Sequence, residues 1–253
     1  MQKWLCCHAA FGQSALMTNA SDDALPLVYC DGTIAVANKP AGLMPHASAI
    51  ADDVVDSAAD RLRRQLDRPI FLVHRLDRAT SGCLLFAFDR EAAARLGAQF
   101  MGREVEKTYL AVCRGWPPEN FTVDHPLDGG PGKPEKKPAI TRFSRLATGE
   151  LDEPAAGFPT SRYALLSCQP ETGRFRQIRR HLKHESHHLI GDTSHGDGRR
   201  NEQFRARGVS RMLLHAWRLG FTHPTSGERI ETVVEPDAQF RAAMAWFGWS
   251  LPE

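Results

Sequence analysis

HRLDRATSG, residues 74–82, separates two short apolar runs of the sequence. Residues 70–73 (IFLV) precede it and residues 83–88 (CLLFAF) follow it, and both runs have the length and composition of buried β-strands. The sequence therefore predicts a tight turn between two core strands, with a carboxylate, two guanidinium groups and an imidazole displayed on it. Charged groups add nothing to a core and are costly to bury, whereas active sites are commonly built from polar side chains on loops. We interpret Asp77 as the chemical centre of a functional site.

Composition sets the class of protein. The chain has 253 residues, of which 42% are hydrophobic and 25% charged, as in soluble globular proteins of one large domain or two small ones. No apolar run approaches the roughly 20 residues that span a bilayer, so we expect neither a membrane protein nor a disordered one. Six cysteines occur without a CxxC pair, and three lie in apolar strand-like runs. This pattern indicates buried, reduced thiols in a cytoplasmic protein, not disulfides or a zinc site.

Positive charge is concentrated near the candidate site. The net charge is only +2, but residues 172–218 contain eleven Lys and Arg against four Asp and Glu, and residues 61–78 contain six Arg against two Asp. Such clusters are typical of a surface that binds a phosphate backbone. Arginines on solvent-exposed helix faces would give the same counts. For either cluster alone, both a phosphate-binding surface and an ordinary exposed helix face stay open.

A coarse pass along the chain predicts alternating strands and helices. Strands are expected at 25–29 and 34–37, joined by a hairpin turn at Asp31-Gly32, and at 105–113, 163–168, 212–215, 218–222 and 230–234. Helices are expected at about 54–66 with Asp52 or Asp53 as the cap, at 89–101, at 174–183 and after Pro236. Residues 128–139 and 149–159 contain too much Pro and Gly for regular structure, residues 188–208 are loop-rich, and Lys39 and His46 fall on a loop.

The predicted helix at 174–183 carries one arginine toward its apolar side. Phe175, Ile178 and Leu182 form the apolar stripe, and Arg179 falls only about 70° from its centre at 100° per residue. An inward guanidinium needs an acceptor, because an unpaired buried charge costs several kcal/mol. Asp77 is the candidate partner, and a structural ion pair with another acid remains an alternative.

Residues 1–23 have no clear period, and we expect an N-terminal extension followed by one domain over residues 24–253. The extension lacks the apolar core of a signal peptide. Met17 as the true start of translation is a hypothesis that N-terminal sequencing would test.

Five segments in order resemble the motifs of the RluA family of RNA pseudouridine synthases, across about residues 25–249. HRLDRATSG is similar to the HRLDxxTSG signature of that family. The other four segments are NKPAG at 38–42 followed by His46, EKTYLAV at 106–112, TGRFRQIRRH at 172–181 followed by Ile190-Gly191-Asp192, and LLHAWRLGFTHPTSGE at 213–228. Five ordered motifs are far more specific than one short pattern.

The resemblance implies a fold, a reaction and site residues. The implied fold is α+β, with a mixed, mostly antiparallel central sheet flanked by helices and loops. The implied reaction isomerises a uridine of RNA to pseudouridine, with Asp77 as the catalytic carboxylate, Arg179 holding it ionised, Tyr109 stacking on the base and Arg75 taking the place of the displaced base. No cofactor and no metal are implied. Possible RNA contacts are Lys39, His46, Lys107, Arg176 and Arg180.

Segments outside these motifs indicate the substrate. FPTSRYALLS at 158–167, GDTSHGD at 191–197 and FGW at 247–249 resemble the branch of the family that modifies uridine 65 of tRNA. We therefore expect tRNA as the partner of a monomeric enzyme, and ribosomal RNA is the alternative. Arg176 and His188 depart from the family pattern, which has histidine and proline at these positions.

Other interpretations of single residues stay open. Tyr109 on an alternating strand is compatible with an ordinary core tyrosine. His181, His184, His187 and His188 raise the possibility of a metallohydrolase, although no matching Cys or carboxylate pattern accompanies them. An RNA-binding or RNA-folding protein with incidental catalysis is the second alternative.

Overall fold

The structure is a computed structural model that describes residues 23–46, 56–154, 157 and 159–251. The predicted extension at 1–23, with Met17, lies almost wholly outside the described residues, as do Asp52 and Asp53. The helix assigned to 54–66 begins later, and Ser57 caps it: its Oγ accepts a hydrogen bond from the Asp60 backbone N–H at 3.2 Å.

Seventeen helices and strands make up the described part of the chain. In the first half these are β1 (Leu27–Cys30), β2 (Ile34–Lys39), α1 (Ala58–Leu66), β3 (Phe71–Leu72), β4 (Ser81–Ala87), α2 (Arg90–Gly102), β5 (Glu106–Arg114) and β6 (Asn120–Asp124). In the second half they are β7 (Leu127–Asp128), β8 (Lys136–Lys137), β9 (Ile140–Leu151), β10 (Ser161–Pro170), α3 (Gln177–His184), α4 (Gly198–Ala206), β11 (Leu214–Thr222), β12 (Arg229–Val233) and α5 (Ala238–Trp246).

Ten of the strands form one sheet in the order β1-β2-β4-β11-β5-β10-β9-β6, with β3 paired to β4 and β12 paired to β11. All pairings are antiparallel except that between β4 and β11, which is parallel. This confirms the expected α+β class with a mixed, mostly antiparallel sheet. No helix in the described part of the chain is long and apolar enough to cross a membrane.

Strand β5 shows how the sheet is covered on both faces. Successive side chains of a strand point to opposite faces. Leu110 and Val112 pack with α4 and α5, whereas Ala111 and Cys113 pack on the other face with Ile178 of α3 and its neighbours. A third apolar cluster joins β1, β2, β4, α1 and α2. Helix α3 therefore lies against the sheet within reach of the ends of β4 and β5.

Several predicted elements differ from the observed ones. The run 70–73 is not a buried core strand, because β3 is two residues long and only half buried. Residues 128–139 include the short strand β8, which pairs with β7, and β9 continues to Leu151, inside the segment predicted as loop. Helix α4 falls in the segment predicted as loop-rich, and β6 and β9 were not predicted. Helix α4 has little amphipathic character, so its periodicity was weak.

Candidate functional site

The turn that carries Asp77 connects β3 to β4. Leu76 and Thr80 are buried on either side of it, and the Thr80 N–H donates to the Asp77 backbone carbonyl at 3.0 Å. The Asp77 side chain remains 21% exposed. The turn is thus anchored at two points, and it leaves one carboxylate accessible between them.

A glycine sets the position of this turn against the sheet. Gly82 has φ +108, and a Cβ at this position would lie 2.1 Å from the backbone oxygen of Ala216 in β11. The two residues are partners in the parallel pairing of β4 and β11. Only glycine permits both this conformation and this approach. The close contact fixes where β4 starts, and hence where Asp77 lies.

Arg179 of α3 reaches the turn from the other side. It is only 5% exposed, and its Nη1 donates to Asp77 Oδ2 at 2.7 Å. The contact expected between these residues is therefore present in the structure. Helix α3 starts at Gln177, three residues later than predicted, because the chain first turns through a left-handed Arg176 with φ 53.

A second carboxylate, that of Asp192, also binds Arg179. In the sequence it is visible only as part of the Ile190-Gly191-Asp192 motif. Arg179 donates Nε to Asp192 Oδ2 at 2.6 Å and Nη2 to Asp192 Oδ1 at 2.8 Å. The backbone N–H groups of Ser194 and His195 also donate to Asp192 Oδ1. Burial raises the pKa of Asp192, but the hydrogen bonds from Arg179 and His195 outweigh it and hold the pKa below its usual value. Asp192 thereby orients the guanidinium that contacts Asp77.

A cleft of about 1020 Å³ opens over Asp77. Its lining contains eight cationic side chains and three carboxylates, a formal excess of five positive charges within the cleft. The cations are Arg75, Arg103, Lys107, Lys133, Lys137, Arg174, Arg176 and Arg179, and the carboxylates are Asp77, Glu135 and Glu171. A polyanion is the ligand that such a cleft favours.

Tyr109 of β5 lines the cleft together with Asp77. It is half buried and packs against two of the apolar clusters of the core, while it also lines the cleft. Burial, reinforced by the charges of Cys83 and Asp77, raises the pKa of its phenol. The hydroxyl is therefore protonated at neutral pH, and the ring offers a flat surface on which a base can stack.

His74 holds the turn in place through a hydrogen bond and a ring contact. Its Nε2 accepts a hydrogen bond from the Leu85 N–H at 3.1 Å, and its ring stacks on Phe100 with centroids 4.8 Å apart. Burial, with a smaller effect of the Lys107 charge, lowers the pKa of His74 to about 3. A neutral imidazole that accepts from the backbone is a structural group.

Of the five expected RNA contacts, two line the cleft and three do not. Lys107 and Arg176 line the cleft. Arg180 does not line it: its Nη2 donates to Asp128 Oδ2 at 2.7 Å, and the side chain is 17% exposed. His46 is exposed but also lies outside the lining residues.

The expectation for Lys39 is wrong. It ends strand β2 and does not lie on a loop, and it is fully buried. Its Nζ donates to the carbonyl oxygens of Pro40 and Leu43, each at 2.8 Å, and of Arg78 at 3.1 Å. A buried ammonium held by three carbonyls is not available to RNA, and Lys39 instead ties the turn that carries Asp77 to residues 40–43. Arg78 strengthens that connection by donating Nε to the Gly42 carbonyl at 2.8 Å.

Three of the four histidines that raised the possibility of a metal site have other partners, whereas His188 Nδ1 is buried without a hydrogen-bond partner among the described residues. His181 contacts the Thr141 hydroxyl at 3.0 Å and the His125 carbonyl at 3.1 Å, and His184 stacks on the His125 ring. His187 contacts the Arg114 carbonyl at 3.1 Å. Among the described residues, no group of three or more His, Cys, Asp or Glu side chains is arranged to hold a metal ion.

A buried polar network behind the turn was not found from the sequence. Ser81 Oγ lies 2.7 Å from His215 Nδ1, and His215 Nε2 lies 2.8 Å from the Val234 carbonyl. Because only an N–H can face that carbonyl, Nδ1 accepts from the Ser81 hydroxyl. Arg211 donates Nη1 to the same Ser81 oxygen at 2.9 Å. The motif at 213–228 therefore supports the start of β4 from across the sheet.

Comparison with known proteins agrees with this geometry. The family model described as RNA pseudouridylate synthase matches residues 33–184, more than half of the chain. The tRNA pseudouridine synthase C of Vibrio vulnificus (strain CMCP6) is 37% identical over 235 residues, which cover 89% of this chain and 96% of that protein. The tRNA pseudouridine synthase C of Salmonella typhimurium is 38% identical over 238 residues, with coverage of 89% and 90%.

Solved structures show the same fold. Human RNA Pseudouridylate Synthase Domain Containing 1 is 28% identical with a TM-score of 0.65, over 87% of this chain and 86% of that one. Human RNA Pseudouridylate Synthase Domain Containing 4 is 24% identical with a TM-score of 0.67, over 90% and 94%, and supports the fold alone. The family match and the relatives together show that the chain belongs to the RNA pseudouridylate synthase family.

Proposed function

We propose that this enzyme isomerises a uridine of tRNA to pseudouridine, with Asp77 as the carboxylate that acts at the ribose. One observation carries the assignment of the site: Asp77 is held by the buried Arg179 at the base of a cleft lined mainly by cations. The charge-assisted hydrogen bond of 2.7 Å from Arg179 fixes the position of the Asp77 carboxyl group, which can serve as a nucleophile or a base.

The isomerisation balances within the nucleotide and water. The bond between N1 of uracil and C1′ of ribose breaks, a bond between C5 and C1′ forms, C5 loses a proton and N1 gains one. No group is transferred to or from a second substrate, so the reaction requires a carboxylate near C1′, a surface that holds the detached uracil and a route for one proton.

Two further residues suit the remaining tasks. Tyr109 offers its ring to the uracil, and its raised pKa supports stacking and hydrogen-bond donation in preference to action as a phenolate base. Arg75 is exposed, lies two residues before Asp77 and lines the cleft. It is suited to occupy the space that the target base leaves, because its guanidinium can stack on bases and contact phosphate.

Substrate choice is supported by charge and by relatives. The positive excess in the cleft favours a nucleic acid, and two relatives that align with 89% of this chain carry the name tRNA pseudouridine synthase C. Uridine 65 is the position that the sequence resemblance implies. We further propose that residues 24–253 form one catalytic domain, that residues 1–23 are an extension, and that the enzyme acts as a cytoplasmic monomer.

A map of pseudouridines in total RNA, from cells with and without the gene, tests this proposal. We expect the loss of one pseudouridine in tRNA, at position 65, and its return when the wild-type gene is restored. Loss of a ribosomal RNA pseudouridine instead would replace the substrate, and an unchanged map would reject the proposed function.

A further inference from the structure

Phe100 and Met101 in the last turn of α2, together with the capping residue Arg103, line one side of the cleft. We call Met101 and Arg103 the α2 lip. Met101 is 81% exposed. The other three exposed large apolar residues in the described part of the chain, Val28, Trp116 and Val233, are 40–46% exposed and do not line the cleft. The most exposed large apolar side chain of the described residues therefore lies at the mouth of the site.

Arg103 has an unusual backbone for its residue type. It caps α2 in the left-handed conformation, with φ 63, a position at which glycine is preferred because a Cβ is disfavoured there. Only four non-glycine residues of the described chain have positive φ, and two of them, Arg103 and Arg176, line the cleft. The two others, Asp67 and Ser186, lie outside it. An arginine at such a position retains a long cationic side chain despite the backbone cost.

The Arg103 guanidinium has no hydrogen-bond or ion-pair partner among the described residues. Arg95, earlier in the same helix, is paired with Glu91 at 2.6 Å. Arg103 also lies close enough to Lys107 that its charge adds to burial in lowering the pKa of Lys107. Neither Arg103 nor Lys107 forms an ion pair with a carboxylate of the described residues, and Glu106 is paired instead with Arg229 at 2.9 Å. Two neighbouring unpaired cations favour an anion between or beside them.

We propose that the α2 lip holds the RNA strand next to the target uridine, with Arg103 on a backbone phosphate and the Met101 thioether against the face of an adjacent base. This rests on the proposed function, since it assigns a flanking contact to the same cleft. A guanidinium beside a single projecting apolar side chain matches the phosphate and the flat base of one nucleotide. One exposed methionine is far too small a surface for a stable protein partner.

Arg103→Gly tests the phosphate contact, with Asp67→Gly as the matched control. Asp67 caps α1 with φ 48, so both substitutions relieve a left-handed backbone, and each should leave the melting temperature unchanged or raise it by about 2 °C. In fluorescence anisotropy with labelled tRNA, we expect Arg103→Gly to weaken binding about fivefold and to reduce the slope of log affinity against log salt by roughly 0.7–0.9. Asp67→Gly should bind as wild type. Arg103→Asn, which also tolerates a left-handed backbone, should reproduce the loss.

Met101→Ala tests the base contact, with Val233→Ala as the exposed apolar control. Met101→Ala should weaken binding several-fold without changing the salt slope, because a neutral contact releases no counterions. The proposed RNA contact of the α2 lip would be wrong if Arg103→Gly and Met101→Ala bound tRNA as tightly as wild type. It would also be wrong if the control variants lost as much affinity as these two variants. Turnover is measured separately. Wild-type protein that binds tRNA but forms no pseudouridine would reject the proposed function, whereas the binding measurements would still test the RNA contact of the α2 lip.

Discussion

Replacement of Arg179 by methionine should be among the most destabilising single changes in this protein. Methionine keeps much of the apolar stem but removes three charge-assisted hydrogen bonds, two to Asp192 and one to Asp77. Asp192 is only 2% exposed and would keep just the N–H groups of Ser194 and His195. Removal of one member of a buried ion pair costs about 3–5 kcal/mol, because the remaining charge is left buried.

The matched control is Arg63→Met on the surface of α1. Arg63 Nη1 lies 2.6 Å from Asp60 Oδ1, as short as the buried contacts, but its side chain is 50% exposed. Exposed pairs contribute about 0–1 kcal/mol, so this variant should unfold almost like wild type. Urea unfolding followed by tryptophan fluorescence at pH 7 compares the two free energies of unfolding directly.

The pH dependence identifies the carboxylate responsible. In the wild type, the lowered pKa of Asp192 stabilises the fold at pH values above the pKa of the unfolded state, which is about 3.9. This contribution is lost as the pH falls through the pKa of the folded state. Without Arg179, burial is opposed only by the N–H groups of Ser194 and His195, so the Asp192 pKa rises above its wild-type value. The deficit of Arg179→Met should therefore shrink as the pH falls from 7 toward about 4.5. An Arg179→Met protein no less stable than Arg63→Met, or a deficit independent of pH, would refute this reasoning.

Two other substitutions test how the turn is held. Gly82→Ala would place a Cβ 2.1 Å from the Ala216 oxygen, so it should lower the free energy of unfolding in urea by about 3 kcal/mol or more. The control is Gly32→Ala, whose Cβ meets no atom within 4 Å and which should change that free energy by less than about 1 kcal/mol. Equal effects of the two substitutions would show that the close approach is unimportant. Lys39→Met leaves three carbonyls without their donor and should lower the free energy of unfolding by about 2–4 kcal/mol. The salt dependence of tRNA binding should stay unchanged, and a smaller slope of log affinity against log salt would show that Lys39 contacts RNA.

The parts of the fold that follow from local pattern could be predicted. The Asp31-Gly32 hairpin joins β1 and β2 as expected, and α2 covers Arg90–Gly102 where a helix was expected at 89–101. Helical spacing alone turned Arg179 inward, and its contact with Asp77 spans 102 positions of sequence. In these cases one periodicity or one turn signal determines the structure.

Other features depend on contacts between distant segments. Strand β11 lies between β4 and β5, and no local signal predicts that order. The same holds for Ser81 and His215, which meet across 134 positions. Lys39 resembles an exposed loop lysine in the sequence, and only the three carbonyls that surround its ammonium explain why it is buried.

The role of Asp192 shows a limit within the site itself. Sequence spacing offered Asp77 as an acceptor for Arg179 but could not reveal that a second carboxylate takes two of the three hydrogen bonds. Its Gly-Asp pair was visible as a motif, yet its function follows from burial and from the two backbone N–H groups at the same oxygen.

Conversion of Asp77 to asparagine tests the central claim most directly. The substitution removes the charge with little change in volume, and Arg179 keeps its bidentate contact with Asp192, so the fold should persist. Asp124→Asn, an exposed position on β6 outside the cleft, is the control. With tRNA carrying tritium at C5 of uridine, we predict no release of tritium above background by Asp77→Asn, tRNA affinity within about threefold of wild type, and normal release by Asp124→Asn. Release by Asp77→Asn at a rate near that of wild type would contradict the account and assign the chemistry to another residue.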